Sequence, residues 1–313
     1  MSIVSDFNNI FDTHREELYR NETEWKQLIE TGHPNLVPFR EGMLNIGGDE
    51  VIRCALCYVP QEGCDEEVKK FRSDCNIKDL DSLLSEAEHK IAEHQGKYRV
   101  TRRSKRNELF CNCCDAYIEA FPGGADVEIP ILITDVRRST PVLTQCTPAQ
   151  GAVLGLELRR QVSEIASQSR GYMLQDRGDG FMHSFPYGFA PIDIDDKKTW
   201  ALDLAVRAAV RLADETVVPA PSDSKLRLGI GLSHGSTYVG APDIDVLPNQ
   251  LDMILVLGSA TATVSARLSD LAEAGTAVVA QSTFEESGID ASQAGWKVET
   301  VSDAIVPAVR ITP

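Results

Sequence analysis

Two aspartates of the chain have neighbours suited to holding a divalent cation. Asp135 closes an apolar stretch that is typical of a strand, and Asp179 lies in a glycine-containing turn between two further short strands. Carboxylates that lie close together repel each other unless a cation lies between them, and oxygen ligands suit Mg²⁺ or Mn²⁺. Gly178 and Gly180 allow the turn to bend tightly beside a ligand. The pair therefore predicts a metal site; the alternative is that Asp135 caps a turn or helix and Asp179 only forms the turn.

The residues that follow Asp135 are suited to binding phosphate. Positions 137–140 hold two arginines, a serine and a threonine. Guanidinium, hydroxyl and backbone N–H groups all donate hydrogen bonds to phosphate oxygens. Arg137, Ser139 and Thr140 are therefore predicted to contact the phosphates of a ligand.

The elements that must position these residues follow the order β-α-β-β-α-β. Hydrophobic patterning predicts strands at 127–136, 172–174, 181–185 and 226–233, and helices at 148–169 and 200–216. A return strand at 236–239, a strand at 251–257, a helix at 261–274 and a strand at 276–280 extend the pattern. This order predicts an α+β fold of the ferredoxin-like, split βαβ type. In that fold the first and third strands are neighbours, so Asp135 and the hairpin that carries Asp179 are expected to converge.

Composition limits the classes of partner. The 313 residues include 31 Lys and Arg against 47 Asp and Glu, which gives a formal net charge of −16. A broad nucleic-acid or anionic-membrane surface needs positive potential, so neither partner is expected. No apolar run reaches the ~18–20 residues that span a bilayer. The N-terminus has no pattern of a secretory signal, so a cytoplasmic protein is expected.

Cysteines are concentrated ahead of the predicted sheet. The chain divides into a helical lead-in at 1–50, a cysteine-rich segment at 51–126 and a third region at 127–313. The segment contains two Cys-x-x-Cys pairs, which are Cys54 with Cys57 and Cys111 with Cys114. Such pairs are typical of structural zinc sites. Buried or free thiols are the alternative interpretation.

Five sequence blocks of the third region resemble the class III nucleotidyl cyclase domain, the family of adenylate and guanylate cyclases. The blocks are ILITDVRRST (131–140), RGDGFMHSF (177–185), LRLGIGLSHG (226–235), YVG (238–240) and VSARL (264–268). They occur in the family's order and spacing and cover about residues 127–283. The resemblance implies a homodimer with active sites at its interface. It also implies conversion of a nucleoside triphosphate to a 3′,5′-cyclic monophosphate and pyrophosphate with two Mg²⁺ or Mn²⁺ ions.

The resemblance also implies roles for single residues. Asp135 and Asp179 match the two metal-binding aspartates, with the Val136 backbone carbonyl as a further ligand. Arg267 matches an arginine of the late helix that stabilises charge in the transition state. Thr263, four residues earlier, stands where the family usually has an asparagine.

The positions that would bind the base depart from the adenylate cyclase pattern. Gln175 stands where adenylate cyclases usually have a lysine, and the partner position falls at Leu255 or Val256. One interpretation is a different base, as in the uridylate and cytidylate cyclases of bacterial antiphage signalling. The other is a catalytically degenerate domain that binds nucleotide or serves dimerisation. The metal aspartates and Arg267 are present, which favours activity.

Overall fold

The computed structural model describes residues 12–13, 15–31, 46, 54, 60, 122–176, 180–190, 194–221, 224–241, 255–256 and 259–313. Asp179, Cys57, Cys111 and Cys114 lie outside these ranges. The chain forms two compact units. The first contains Met1–Val127 and Tyr238–Leu257, and the second contains Glu128–Thr237 and Gly258–Pro313. The domain boundaries at 50 and 126 stay predictions.

The strands of the described residues form one mixed sheet. They are β1 (Gly123–Arg137), β2 (Tyr172–Asp176), β3 (Gly180–Ser184), β4 (Val217–Pro219), β5 (Lys225–Ala241), β6 (Leu255–Val256), β7 (Thr276–Ala280), β8 (Lys297–Val301) and β9 (Ala308–Thr312). Their order is β2-β3-β1-β5-β7-β9-β8, with β4 and β6 paired to β5. The sub-order β2-β3-β1-β5 is that of a split βαβ sheet, so the predicted ferredoxin-like α+β fold is confirmed.

Helices connect these strands. They are α1 (Glu22–Lys26), α2 (Ser139–Leu143), α3 (Pro148–Gln168), α4 (Lys197–Glu215), α5 (Ala260–Leu271), α6 (Gln281–Glu286) and α7 (Ala291–Ala294). Asp196 caps α4, because its side chain accepts a hydrogen bond from the Thr199 N–H at 3.0 Å. Within the described ranges, no helix combines the length and the apolar character that crossing a bilayer requires.

The two faces of the sheet are covered by different helices. Side chains alternate between the faces of a strand. Leu228, Ile230 and Leu232 of β5 therefore share one face, where they join a buried cluster with α3 and α4. On α5, Leu268 belongs to a separate buried cluster that contains Val278 of β7. The α3–α4 layer supplies the larger core, and α5 packs on the opposite face.

Two predicted boundaries differ from the structure. The expected strands at 226–233 and 236–239 are one continuous strand, β5, so the predicted return strand is wrong. Gly235 has φ 156°, close to the extended region, and the chain does not reverse there. The first strand is longer than predicted, since β1 begins at Gly123 rather than at 127. A Cβ on Gly124 would lie 2.7 Å from the Gly240 Cα, so glycine is needed for this close approach.

In the first unit, two tyrosines hold the N-terminal helical segment. The Tyr238 hydroxyl donates to the Leu18 carbonyl at 2.6 Å, and the Tyr19 hydroxyl donates to Asp126 at 2.8 Å. The two rings pack edge to face with centroids 5.9 Å apart. Burial, together with the bond to Asp126, raises the pKa of Tyr19 to about 12. Trp25 of this segment is buried.

One edge of the sheet is a charged strand. β8 is the last strand in the order and pairs only with β9 among the described strands. Lys297 and Glu299 are exposed and form an ion pair at 2.5 Å.

Candidate functional site

Asp135 lies where the β2–β3 hairpin meets the central strand. In the antiparallel register of β1 and β3, Asp135 pairs with Gly180. The neighbouring pair is fixed by a side chain, because the Thr134 hydroxyl oxygen accepts a hydrogen bond from the Phe181 N–H at 2.9 Å. A Cβ on Gly180 would lie 2.5 Å from the Thr134 carbonyl oxygen, so only glycine lets β3 lie this close. The predicted adjacency of the first and third strands is confirmed, and Asp179 itself lies outside the described residues.

Arg137 lies against β5 and contacts Asp135. Its Nη1 is 2.9 Å from the Asp135 Oδ2, and the two side chains are 20% and 38% exposed. A Cβ on Gly229 would lie 2.8 Å from Nη2, so glycine provides the space for the guanidinium. Nε and Nη2 are buried and have no hydrogen-bond partner in the described part of the chain. Two nitrogens of the guanidinium, beside a carboxylate, are thus unpaired among the described residues.

The chain turns sharply after Arg137. Arg138 has φ 58°, in the left-handed region that costs an L-residue about 1–2 kcal/mol. This turn starts α2 at Ser139, which is half-buried, and leaves Thr140 exposed. The Val136 side chain is buried in the α3–α4 cluster, so only its backbone carbonyl is suited to be a ligand.

A β-bulge puts Gln175 on the same face of the sheet as Asp135. In β2, Met173 pairs with His183 but Gln175 pairs with Met182, so Leu174 is the extra residue. Met182 in turn pairs with Ile133, two residues before Asp135. Paired residues share a face. Without the bulge, Gln175 would point to the α3–α4 face.

The same face carries α5. Gly229, which contacts Arg137, and Gly231 lie two residues apart on β5. A Cβ on Gly231 would clash with the Ser265 carbonyl oxygen and the Ser269 amide nitrogen of α5. The structure therefore brings Asp135, Arg137, Gln175 and α5 to one face of the second unit.

On α5, Arg267 and Thr263 are both on the exposed side. The Arg267 side chain is 66% exposed, and its Nη1 lies 3.3 Å from Asp270. The Thr263 hydroxyl donates to the Ser259 carbonyl of its own helix at 3.1 Å. Both residues stand on the helix that the sequence predicted.

The other predicted residues lie in the first unit or outside the described residues. Leu255 belongs to the first unit, where it pairs with Gly240. Cys54 is buried and has no disulfide, and its three proposed zinc-site partners lie outside the described residues. Within the described ranges, no three His, Cys, Asp or Glu side chains group as metal ligands do. The zinc site stays a prediction.

His183 is a buried imidazole on β3 whose protonation opposes folding. It is 1% exposed, and neither ring nitrogen has a hydrogen-bond partner among the described residues. Its ring centroid lies 6.4 Å from that of Phe181. Loss of solvation lowers the pKa of His183 from 6.5 to about 4. The neutral form is therefore the one that the fold accommodates.

We expect this burial to make stability fall as the medium is acidified. Because the folded pKa lies below the unfolded one, the contribution is complete above pH 6.5 and is lost as the pH falls towards 4. One such group gives about 1.4 kcal/mol per pH unit. Urea unfolding at several pH values between 7 and 4.5 measures how the free energy of unfolding changes with pH. For the wild type, the slope should correspond to uptake of one more proton on unfolding than for His183→Gln. Equal slopes would contradict the assignment.

The hydroxyl contacts of α5 were missed from the sequence. Helix periodicity identified the helix. It did not indicate that three of the four buried residues carry hydroxyl groups, which are Thr261, Ser265 and Ser269, beside Leu268. The recurrence of Ser or Thr at intervals of four residues opposite a glycine-rich strand was the available signal.

In the comparison with known proteins, the chain is similar to several solved structures. No protein-family model and no curated protein matches the chain. The guanylyl cyclase Cya2 is 22% identical, with 60% of this chain and 92% of that chain covered and a TM-score of 0.46. The adenylyl cyclase CyaB from P. aeruginosa is 14% identical, with 60% and 94% covered and a TM-score of 0.44. The catalytic core of a rhodopsin-guanylyl cyclase with converted specificity, in complex with ATPalphaS, is 14% identical, with 59% and 95% covered and a TM-score of 0.45.

These structures are adenylyl and guanylyl cyclase domains, the family that the sequence blocks resemble.

Proposed function

We propose that the chain is a nucleotidyl cyclase, which converts a nucleoside triphosphate into a 3′,5′-cyclic nucleoside monophosphate and pyrophosphate at a homodimer interface. The observation that carries the proposal is the pairing of Asp135 with Gly180, the residue next to Asp179 in the sequence. A cation shared by both carboxylates is the simplest physical reason for acidic residues at these two positions.

The donors at this position fit Mg²⁺ or Mn²⁺. Asp135, the Val136 carbonyl and Asp179 offer only oxygen atoms, which hard cations prefer. Mg²⁺ is commonly held by one or two carboxylates plus substrate phosphates, so a larger acidic cluster is not required. The close approach of β3 at Gly180 supports this fit. When bound, such ions lower the pKa of the ribose 3′-hydroxyl and neutralise charge on the departing pyrophosphate.

Arg137, Ser139 and Thr140 would bind and orient the triphosphate. The buried Nε and Nη2 of Arg137 are donors without a partner in the described structure, and a phosphate oxygen would satisfy them. The hydroxyls of Ser139 and Thr140 follow directly in the turn. The guanidinium fork is well suited to holding a phosphate in one orientation.

Arg267 would stabilise the charge that develops on the phosphate in the transition state. Its 66% exposure leaves the guanidinium accessible to a second copy of the chain. We therefore propose that α5 faces the dimer interface. Thr263 would support the same charge more weakly than the family asparagine, because its hydroxyl already binds the Ser259 carbonyl.

Gln175 would read the base. A side-chain amide both donates and accepts, whereas the ammonium of the lysine usual in adenylate cyclases only donates. A site that hydrogen-bonds one base edge rejects another strongly. We propose that the base is a pyrimidine, so that the product would be cUMP or cCMP. By resemblance to the bacterial pyrimidine cyclases, this product would act as a second messenger in antiphage signalling.

The second candidate is a degenerate cyclase domain that binds nucleotide or supports dimerisation without turnover. The bond between Thr263 and Ser259 favours it, since that hydroxyl is engaged within its own helix. Asp135, Asp179 and Arg267 favour the active enzyme.

Incubation of the purified chain with Mn²⁺ and each of ATP, GTP, UTP and CTP separates the two functions. We expect one cyclic nucleotide, identified by mass spectrometry, and we expect UTP or CTP to be its source. A confirmed dimer that forms no cyclic product from any of the four would establish the binding module instead. A cyclic purine as the main product would overturn the assignment of the base.

A further inference from the structure

The interface between α5 and the sheet contains buried hydroxyl groups beside an apolar cluster. Of the buried residues of α5, Thr261, Ser265 and Ser269 carry hydroxyls and only Leu268 is apolar. Ser265 is fully buried and Ser233, opposite it on β5, is 3% exposed. Burying a hydroxyl group without a hydrogen-bond partner costs free energy, so each of these groups is expected to form a hydrogen bond.

Ser265 connects three elements through one oxygen. Its hydroxyl donates to the Ile131 carbonyl of β1 at 2.7 Å and accepts from the Ser233 N–H of β5 at 3.0 Å. The Ser233 hydroxyl lies 2.8 Å from it and donates to the Thr261 carbonyl at 3.1 Å. α5 is thus bonded directly to the two central strands.

Further hydroxyls hold the first turn of α5. The Thr261 hydroxyl donates to the Ser236 carbonyl at 3.0 Å, and the hydroxyls of Thr237 and Ser259 lie 2.8 Å apart. Gly231 lets the helix backbone come down onto β5 at Ser265. An apolar interface can adapt by changing rotamers, whereas directional hydrogen bonds fix both the rotation and the axial position of a helix.

We propose that Ser265, acting with Ser233, is a positioning residue for Arg267. Ser265 precedes Arg267 by two residues on α5, and it is bonded to Ile131, four residues before Asp135 on β1. The hydroxyl pair therefore sets the place of the guanidinium relative to the strand that carries the metal carboxylate. This inference rests on the proposed cyclase function.

Ser265→Ala tests the proposal in two independent measurements. In the first, kcat of cyclic nucleotide formation should fall about tenfold, with the KM for the nucleotide changed less than twofold, because geometry in the transition state is lost rather than binding. Ser233→Ala should have a similar effect. The double variant Ser233→Ala/Ser265→Ala should be no slower than either single variant, because the two residues act as one unit.

The matched control is Leu268→Ala, which removes a buried side chain of the same helix without touching the hydroxyls. It should lower the unfolding temperature at least as much as Ser265→Ala and keep kcat within twofold. Loss of kcat that follows the unfolding temperature across all variants would overturn the proposal, since it would indicate a merely structural role.

The second measurement does not need activity. Amide hydrogen exchange in α5 should be about tenfold faster in Ser265→Ala than in the wild type, with exchange in α4 unchanged. If exchange in α5 is unchanged, the positioning role is wrong whatever the activity. If the wild type forms no cyclic nucleotide but exchange in α5 responds as expected, the proposed function fails while the anchoring of α5 stands.

Discussion

Replacing Asp135 with asparagine should abolish formation of cyclic nucleotide. Asparagine has nearly the same shape but no charge, so the site loses the anionic ligand that a divalent cation needs. We expect kcat/KM to fall at least about a thousandfold, which corresponds to roughly 4 kcal/mol of transition-state stabilisation. The Asp135 side chain is 38% exposed, and the amide oxygen of asparagine can still accept a hydrogen bond from Arg137, so the unfolding temperature should change little.

The measurement is the rate of cyclic product with Mn²⁺ by mass spectrometry, alongside Mn²⁺ binding by electron paramagnetic resonance. Asp214→Asn is the matched control, since Asp214 is an exposed aspartate on α4. It should retain both activity and Mn²⁺ affinity. Product formation by Asp135→Asn at the wild-type rate would remove Asp135 from the metal site.

Replacing Gly231 with alanine should cause the largest loss of stability among single changes to the sheet. The added methyl group would meet the backbone of α5 at Ser265 and Ser269, and backbone cannot move aside as a side chain can. Overpacking of this kind costs about 3 kcal/mol. In a domain of this size the unfolding temperature should fall by roughly 6–12 °C.

Gly155→Ala is the control for this change. Gly155 lies inside α3, and, beyond its chain neighbours and the nearby backbone of α3, no atom of the described residues lies within 4 Å of the position that its Cβ would take. Alanine should therefore raise the free energy of unfolding by about 0.5–1 kcal/mol through helix propensity. Thermal unfolding of both variants is the measurement, and equal shifts would show that α5 does not lie on Gly231 as described.

Elements with one clear periodicity could be predicted from the sequence. α3 is expected at 148–169 and observed at Pro148–Gln168, and β7 is observed where it is expected. These segments have strong apolar patterns and clear ends, so the local sequence determines where they begin and end. The long strand β5 is different, because glycines and serines around Gly235 are typical of a turn while pairing with β7 and β6 keeps the chain extended.

In the site, too, the positions of some residues follow from the sequence and those of others do not. Asp135 at the end of β1, next to the hairpin, follows from strand order alone. The face of Gln175 does not, because it depends on a single extra residue at Leu174 that leaves no mark in the hydrophobic pattern. The contact of Arg137 with Gly229 likewise joins residues 92 positions apart, and no local rule connects them.

The charged outer strand β8 has a consequence for the protein at high concentration. A foreign strand that added to this edge would bring its backbone against Lys297 and Glu299, and their desolvation would oppose the addition. Fibril growth from this side should therefore be suppressed without any covering helix.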